Sequence, residues 1–314
     1  MPGDVSIVSG ESAIDAAKFD RSKIGALIHG SVCRDYLEPA TSCRVHHQLK
    51  LNDDCVIYDV SNACLGILNG MLQAANMIEL GQVEAALVVG SEGGRQLVEN
   101  TIDYLNREPS INRKNIKPAV ASLTIGSASC AVLLTHESIS KTGNRLLGAS
   151  ATANTVFHDL CHSGQDEAGD SMRPLMETDS ETLMNEGIKT GVLNFDRFLG
   201  ELDWNRESIA RTFCHQVGGT HRKLMLEALD LEIEKDFATF SWLGNTGAAA
   251  LPTTMAIGLQ QSGAPMAAEN LALLGIGSGI NCVMAGVEWH QPQVIGKQFG
   301  ESGIVEFDPV SIDA

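Results

Sequence analysis

Along the chain, short unbroken apolar runs alternate with stretches in which apolar residues recur every three or four positions. The runs have the length of buried strands, and the longer patterns have the length of helices. Strands are expected at 24–29, 56–60, 85–90 and 129–135 in the first half. In the second half they are expected at 145–151, 210–215, 237–241, 271–276 and 282–287. Helices are expected over 64–80, 219–229 and 247–261. The first of these places Ile67, Leu68, Met71, Leu72, Ala75 and Ile78 on one side. Strands interleaved with helices in this way predict an α/β fold.

The pattern echoes itself. The helix from Cys64 ends near Gly81 and is followed by the apolar run Ala85-Ala86-Leu87-Val88-Val89-Gly90. The helix from Gly247 ends near Gly263 and is followed by Leu271-Ala272-Leu273-Leu274-Gly275-Ile276-Gly277. Gly126-Ser127 and Gly277-Ser278 then each lead into another apolar strand. This reads as a duplicated α/β unit, 1–144 and 145–314, with its seam near 141–145. Residues 152–204 are polar and read as an irregular insertion that covers something.

Composition narrows the class. The 314 residues are 44% apolar and 19% charged, enough for one large domain or two half-sized ones with an ample core. No apolar stretch is long enough to span a bilayer and no secretory signal opens the chain, so a cytoplasmic protein without a membrane span is expected. A net charge of −17 argues against nucleic acid as a partner, because neutralising phosphates needs a basic face. The eight cysteines include no C-x-x-C pair, so no disulfide scaffold is expected. His158, Cys161 and His162 have metal-like spacing but no matching partner motif, so the expectation is a mobile polar loop and no metal.

Candidate chemistry starts at Cys64, in Ser61-Asn62-Ala63-Cys64-Leu65-Gly66, where the strand at 56–60 turns into a helix. Free N–H groups and the helix dipole there favour a thiolate, the nucleophilic form of cysteine. Taken alone, a buried structural cysteine is the commoner case. His215, in Phe213-Cys214-His215-Gln216-Val217-Gly218-Gly219, ends an apolar run. Asn245 stands in Trp242-Leu243-Gly244-Asn245-Thr246-Gly247 and, by itself, reads as a turn or helix cap. Gly275-Ile276-Gly277-Ser278-Gly279 lacks the full dinucleotide-binding pattern and leads into a strand. Its better use is donation of backbone N–H groups to an oxyanion, from Gly277, Ser278 and Gly279.

Together, in this order and with these neighbours, the motifs resemble the condensing enzymes of the thiolase superfamily, over about 24–288. The likeness is nearest to the 3-oxoacyl-acyl-carrier-protein synthase III branch. Within it, Ser31-Val32-Cys33-Arg34-Asp35-Tyr36-Leu37-Glu38-Pro39 is similar to the acyl-CoA-condensing enzymes of bacterial olefin biosynthesis, in which a glutamate here reaches into the partner's site. Glu38 precedes Cys64 by 26 positions (64 − 38), as that resemblance requires. By itself a solvated loop carboxylate is the plainer reading of Glu38.

The resemblance implies a duplicated five-layer α/β/α/β/α fold, a homodimer and no bound cofactor, with CoA entering as part of the substrate. Only Met1 to Lys23 precede the first expected strand, so it also implies that an N-terminal strand, central in the first half, is missing. The implied reaction is a non-decarboxylative Claisen condensation of two fatty acyl-CoA thioesters through an acyl-Cys64 intermediate, giving a β-keto acid or thioester. His215 and Asn245 would hold the enolate, and Glu38 would remove the α-proton in a site dry enough to raise its pKa. One alternative is a decarboxylating synthase III that takes its donor from an acyl carrier protein. The other is an inactive truncated paralogue acting as a scaffold.

Overall fold

The computed structural model describes residues 1–112, 116–163, 176–262, 267–290 and 294, and the backbone of 297–300 and 303–306. Its helices are α1 (Pro2–Ala17), α2 (Thr41–Leu49), α3 (Gly66–Glu79), α4 (Arg95–Arg107), α5 (Lys117–Val120), α6 (Ser180–Leu202), α7 (Gly219–Leu229), α8 (Phe240–Leu243) and α9 (Ala250–Ser262). The strands of the first half are β1 (Ile24–Gly30), β2 (Val56–Val60), β3 (Ala85–Glu92) and β4 (Ala128–Thr135). Those that follow are β5 (Arg145–Ala153), β6 (Cys161–Ser163), β7 (Met176–Thr178), β8 (Arg211–Cys214), β9 (Glu269–Gly277) and β10 (Asn281–Trp289).

Two four-stranded sheets carry the fold, in the orders β2-β1-β3-β4 and β5-β10-β9-β8. In the first, β1 runs parallel to β2 and β3, while β4 is antiparallel to β3. In the second, β8 runs parallel to β9, and β10 is antiparallel to both β9 and β5. Thus β1, β3 and β4 recur as β8, β9 and β10, with α3 before β3 and α9 before β9. The near-continuous apolar runs of β3 and β9 follow from this position, since a central parallel strand is covered on both faces.

Three apolar cores define the layers. One lies under α1 and α2, from Ile14, Val45, Leu49, Leu27 and Leu87. A second lies between the sheets, where Ile67, Leu68 and Met71 of α3 and Leu251 and Leu259 of α9 meet Ile28, Val88, Leu273 and Val283. The third, under α6 and α7, joins Phe195, Phe198 and Leu226 to Leu274 and Met284. The sequence of layers is α1/α2, first sheet, α3/α9, second sheet, α6/α7, which is the thiolase-like five-layer α/β arrangement.

Three departures from the sequence reading concern the sheets and α6. β1 and β3 pair directly, so the centre of the first sheet is filled. By the internal repeat, the place without a strand among the described residues is beside β4, where β5 lies beside β10. The expected strand at 237–241 is absent: only a single bridge joins Thr212 to Asp236, and α8 starts at Phe240. Buried Gln216 accepts the N–H groups of Thr239 and Phe240 at 2.8 and 3.1 Å, which turns the chain into that helix. Finally, the second part of the expected irregular insertion is the 23-residue α6, capped by the Asp179 side chain on the Thr182 N–H. It buries Gly187, Thr190, Gly191 and Asn194 beside its phenylalanines, so its apolar period is weak in the sequence.

Candidate active site

β2 delivers the chain to a tight elbow ahead of α3. Ala63 takes the left-handed conformation (φ 44°), which costs a non-glycine residue about 1–2 kcal/mol and marks a site where geometry overrides local preference. The Leu65 N–H closes the elbow on the Asn62 carbonyl at 2.9 Å. Behind it Gly66 presses on Gly30. A Cβ at Gly30 would come within 2.5 Å of Gly66, and one at Gly66 within 2.7 Å of Gly30, so only glycine lets α3 start this close to the sheet.

The elbow opens on a cavity of about 1610 Å³, whose lining includes Cys64, His215, Asn245, Gly277, Ser278 and Glu92. Five residues from four distant segments that the sequence singled out therefore meet in one place. Two others do not. Gly279 makes the β9–β10 turn with φ 78° but does not line the cavity, and Glu38 is exposed on the 31–40 segment, away from its own chain's cavity.

Each group is held by identifiable partners. The backbone of Asn245 is pinned between Thr124 and Gly126: its N–H donates to the Thr124 carbonyl at 2.9 Å and its carbonyl accepts the Gly126 N–H at 2.8 Å. Its Oδ1 accepts the Gly247 N–H at 3.0 Å, which leaves the side-chain NH2 as the group to offer a ligand. His215 follows β8, where its N–H donates to the Leu274 carbonyl at 3.1 Å. Gln216 clamps the same turn, donating to the Cys214 carbonyl at 2.7 Å. A Cβ at Gly277 would lie 3.4 Å from the Cys64 nitrogen, so the glycine loop runs alongside the nucleophile's backbone. Asn281 steadies that loop through the Ser278 carbonyl at 3.4 Å and reaches Asn62 Oδ1 in the elbow at 3.5 Å.

The electrostatics correct one expectation. Burial pushes the Cys64 thiol up to about 12, and the negative charge of Glu92 and the neighbouring Cys161 add to it. Desolvation outweighs the helix N-terminus, so the resting group is a thiol rather than a thiolate. His215 goes the other way, lowered to about 3 by burial and then by His221, so its imidazole is neutral at physiological pH. Its buried Nδ1 has no hydrogen-bond partner among the described residues. A neutral imidazole in the same cavity as a protonated thiol can accept a proton when the sulfur attacks. We expect alkylation of Cys64 by iodoacetamide, read by peptide mass spectrometry, to rise about tenfold per pH unit between about pH 7 and 10. A plateau below about pH 9 would contradict a thiol held this high.

Other groups also line the cavity. His221, at the start of α7, lines the cavity and is lowered to about 4 by burial. Cys161 and His162, expected on a mobile loop, belong to β6, pair with β7 and form part of the cavity wall. Glu92 carried one signal, a single acid closing an otherwise apolar run before Gly93-Gly94.

The chain is similar to known proteins over most of its length. Residues 58–155 match the family model for 3-oxoacyl-[acyl-carrier-protein] synthase III, and residues 199–289 match the model for its C-terminal part. The chain is 41% identical over 290 residues to an acyl-CoA:acyl-CoA alkyltransferase of Shewanella oneidensis, covering 91% of this chain and 82% of that one. It is 32% identical over 286 residues to the Xanthomonas campestris protein of the same name, with the same two coverages of 91% and 82%. A solved cysteine-to-serine variant of Xanthomonas campestris OleA with bound lauric acid and lauroyl-CoA superposes with a TM-score of 0.85. It is 31% identical in sequence, over 92% of this chain and 83% of that one. In other solved variants of that OleA, the substituted glutamate and cysteine are separated by the same interval as Glu38 and Cys64. Among the described residues, no helix is long and apolar enough to cross a membrane.

Proposed function

The chain belongs to the 3-oxoacyl-[acyl-carrier-protein] synthase III family, on its acyl-CoA:acyl-CoA alkyltransferase branch, and from that premise we propose that it joins two fatty acyl-CoA molecules head to head. The observation that carries this reading is the meeting of Cys64, His215, Asn245 and the Gly277-Ser278 backbone in one large cavity.

The Cys64 sulfur attacks the thioester carbonyl of the first acyl-CoA. A carbon–sulfur bond forms, the bond to CoA breaks, and CoA leaves with the thiol proton. The Cys64 N–H and a donor from the loop at Ser278 hold the transient oxyanion. A second acyl-CoA then enters, with its carbonyl oxygen held by His215 and the Asn245 NH2, donors that stabilise an enolate. The partner subunit's Glu38 takes the α-proton. The carbanion attacks the acyl carbon on Cys64, the new carbon–carbon bond forms, and the carbon–sulfur bond breaks. The released Cys64 thiolate recovers the proton that the partner's Glu38 took, which restores the thiol and the carboxylate. The product is a β-ketoacyl-CoA, or the β-keto acid after hydrolysis.

A homodimer suits the positions of these groups. Glu38 stands exposed with Tyr36 and Leu37 on the outside of its protomer, and β2 ends the first sheet with its outer edge unpaired among the described residues. Fatty acyl-CoA is the donor this reading favours over an acyl carrier protein, since a carrier is itself acidic and this chain carries −17. A reducing, cytoplasmic setting suits its cysteines, all eight of which are free thiols. The test is turnover with long-chain acyl-CoA alone, compared with acyl-CoA plus malonyl-carrier protein. Condensed product with acyl-CoA alone supports the reading, and product that appears only with the malonyl donor overturns it.

A further inference from the structure

Glu92 closes β3 with only 8% of its surface exposed. Its carboxylate faces three backbone N–H groups. Oε1 accepts from Val32 at 2.9 Å and from Ala248 at 3.3 Å, and Oε2 accepts from Cys33 at 3.0 Å. These donors belong to segments more than two hundred residues apart. Val32 and Cys33 open the segment that carries Glu38, whereas Ala248 follows Asn245 by three positions. Gly247, whose N–H orients the Asn245 side chain, also lies against this carboxylate: a Cβ there would come within 2.9 Å of Glu92 Cγ. A buried carboxylate is costly unless its oxygens are satisfied, and here the protein satisfies them from both functional segments at once.

We infer that Glu92 is a positioning residue that couples the Glu38 segment to the Asn245 loop, so that one carboxylate sets both the base offered to the neighbouring subunit and the enolate-holding amide of its own site. The inference rests on the roles given to Glu38 and Asn245 above. It separates the two half-reactions. Acylation of Cys64 uses the elbow and the glycine loop, which Glu92 does not hydrogen-bond, and loss of its charge lowers the Cys64 thiol, which favours acylation; condensation uses both segments that Glu92 does hold.

The experiment compares wild type with Glu92→Gln and Glu92→Ala in the intact dimer. Glutamine keeps the shape but sets an NH2 group against at least one N–H donor, so it carries the test if the alanine variant does not fold. Two quantities are read: the partition of acyl-Cys64 between condensation and hydrolysis, and hydrogen exchange at the amides of Val32, Cys33 and Ala248. Condensation is expected to fall about tenfold more than acylation, with exchange about tenfold or more faster in both segments. Equal loss of the two half-reactions, or faster exchange in one segment only, would overturn the coupling. If wild type forms no condensed product, the proposed function fails. The exchange measurement still decides the coupling, since a joint rise supports it and unchanged exchange refutes it.

Discussion

Cys64→Ala is expected to lose acylation and condensation together, by about 10⁵-fold or more, leaving only background thioester hydrolysis. The size follows from chemistry that no neighbour can replace. Two other thiols, Cys33 and Cys161, line the same cavity, but neither sits in the elbow beside the glycine loop. Cys33 is pushed up to about 12 by burial and by the adjacent Glu92, much as Cys64 is, so its position and not its acidity sets it apart. Brief incubation with acyl-CoA followed by peptide mass spectrometry checks this. The acyl group should appear on the peptide containing Cys64 and nowhere else, and an adduct on Cys33 or Cys161 in the Cys64→Ala protein would contradict the assignment.

Glu38→Gln should leave acylation of Cys64 in place and lower condensation by about 10²–10⁴-fold, the range of a general base. The stronger test uses two inactive proteins. In a mixed dimer, the Glu38→Gln subunit keeps its Cys64 and faces an intact Glu38 from the Cys64→Ala subunit, so one of its two sites is complete. Random exchange of subunits should therefore restore about a quarter of wild-type condensation. No recovery would place the base within the same chain as the nucleophile, or would remove Glu38 from the reaction.

What the sequence made legible follows from where its signals are local. β1, β2, β3, β9 and β10 are apolar runs flanked by turns, and Cys64, His215 and Asn245 each sit at the end of an element with small residues around them. Helices α1 and α6 were hidden for a shared reason. α1 buries Gly3, Ser6 and Gly10, and α6 buries Gly187, Thr190, Gly191 and Asn194, so their packed faces do not read as apolar. Such faces allow close packing that a period of large side chains does not report. The 237–241 stretch has strand-like residues, but Gln216 takes up its N–H groups from a distant segment. The thiol state of Cys64 differs from the sequence expectation for a similar reason: the helix N-terminus is visible in sequence, while burial and the charge of Glu92 exist only in the folded site. Glu92 itself gave one weak local cue, and its three N–H partners come from parts of the chain that sequence order keeps apart.

In the proposed reaction both carbon chains of the product come from acyl-CoA by a route that needs no decarboxylation. Its most direct test is to supply a single long-chain acyl-CoA labelled with carbon-13 at the thioester carbon, with no malonyl donor present, and to weigh the β-keto acid. Head-to-head condensation predicts a product carrying two labelled carbons, one from each acyl group. Release of labelled fatty acid alone, or a singly labelled product that forms only after malonyl-carrier protein is added, would contradict it.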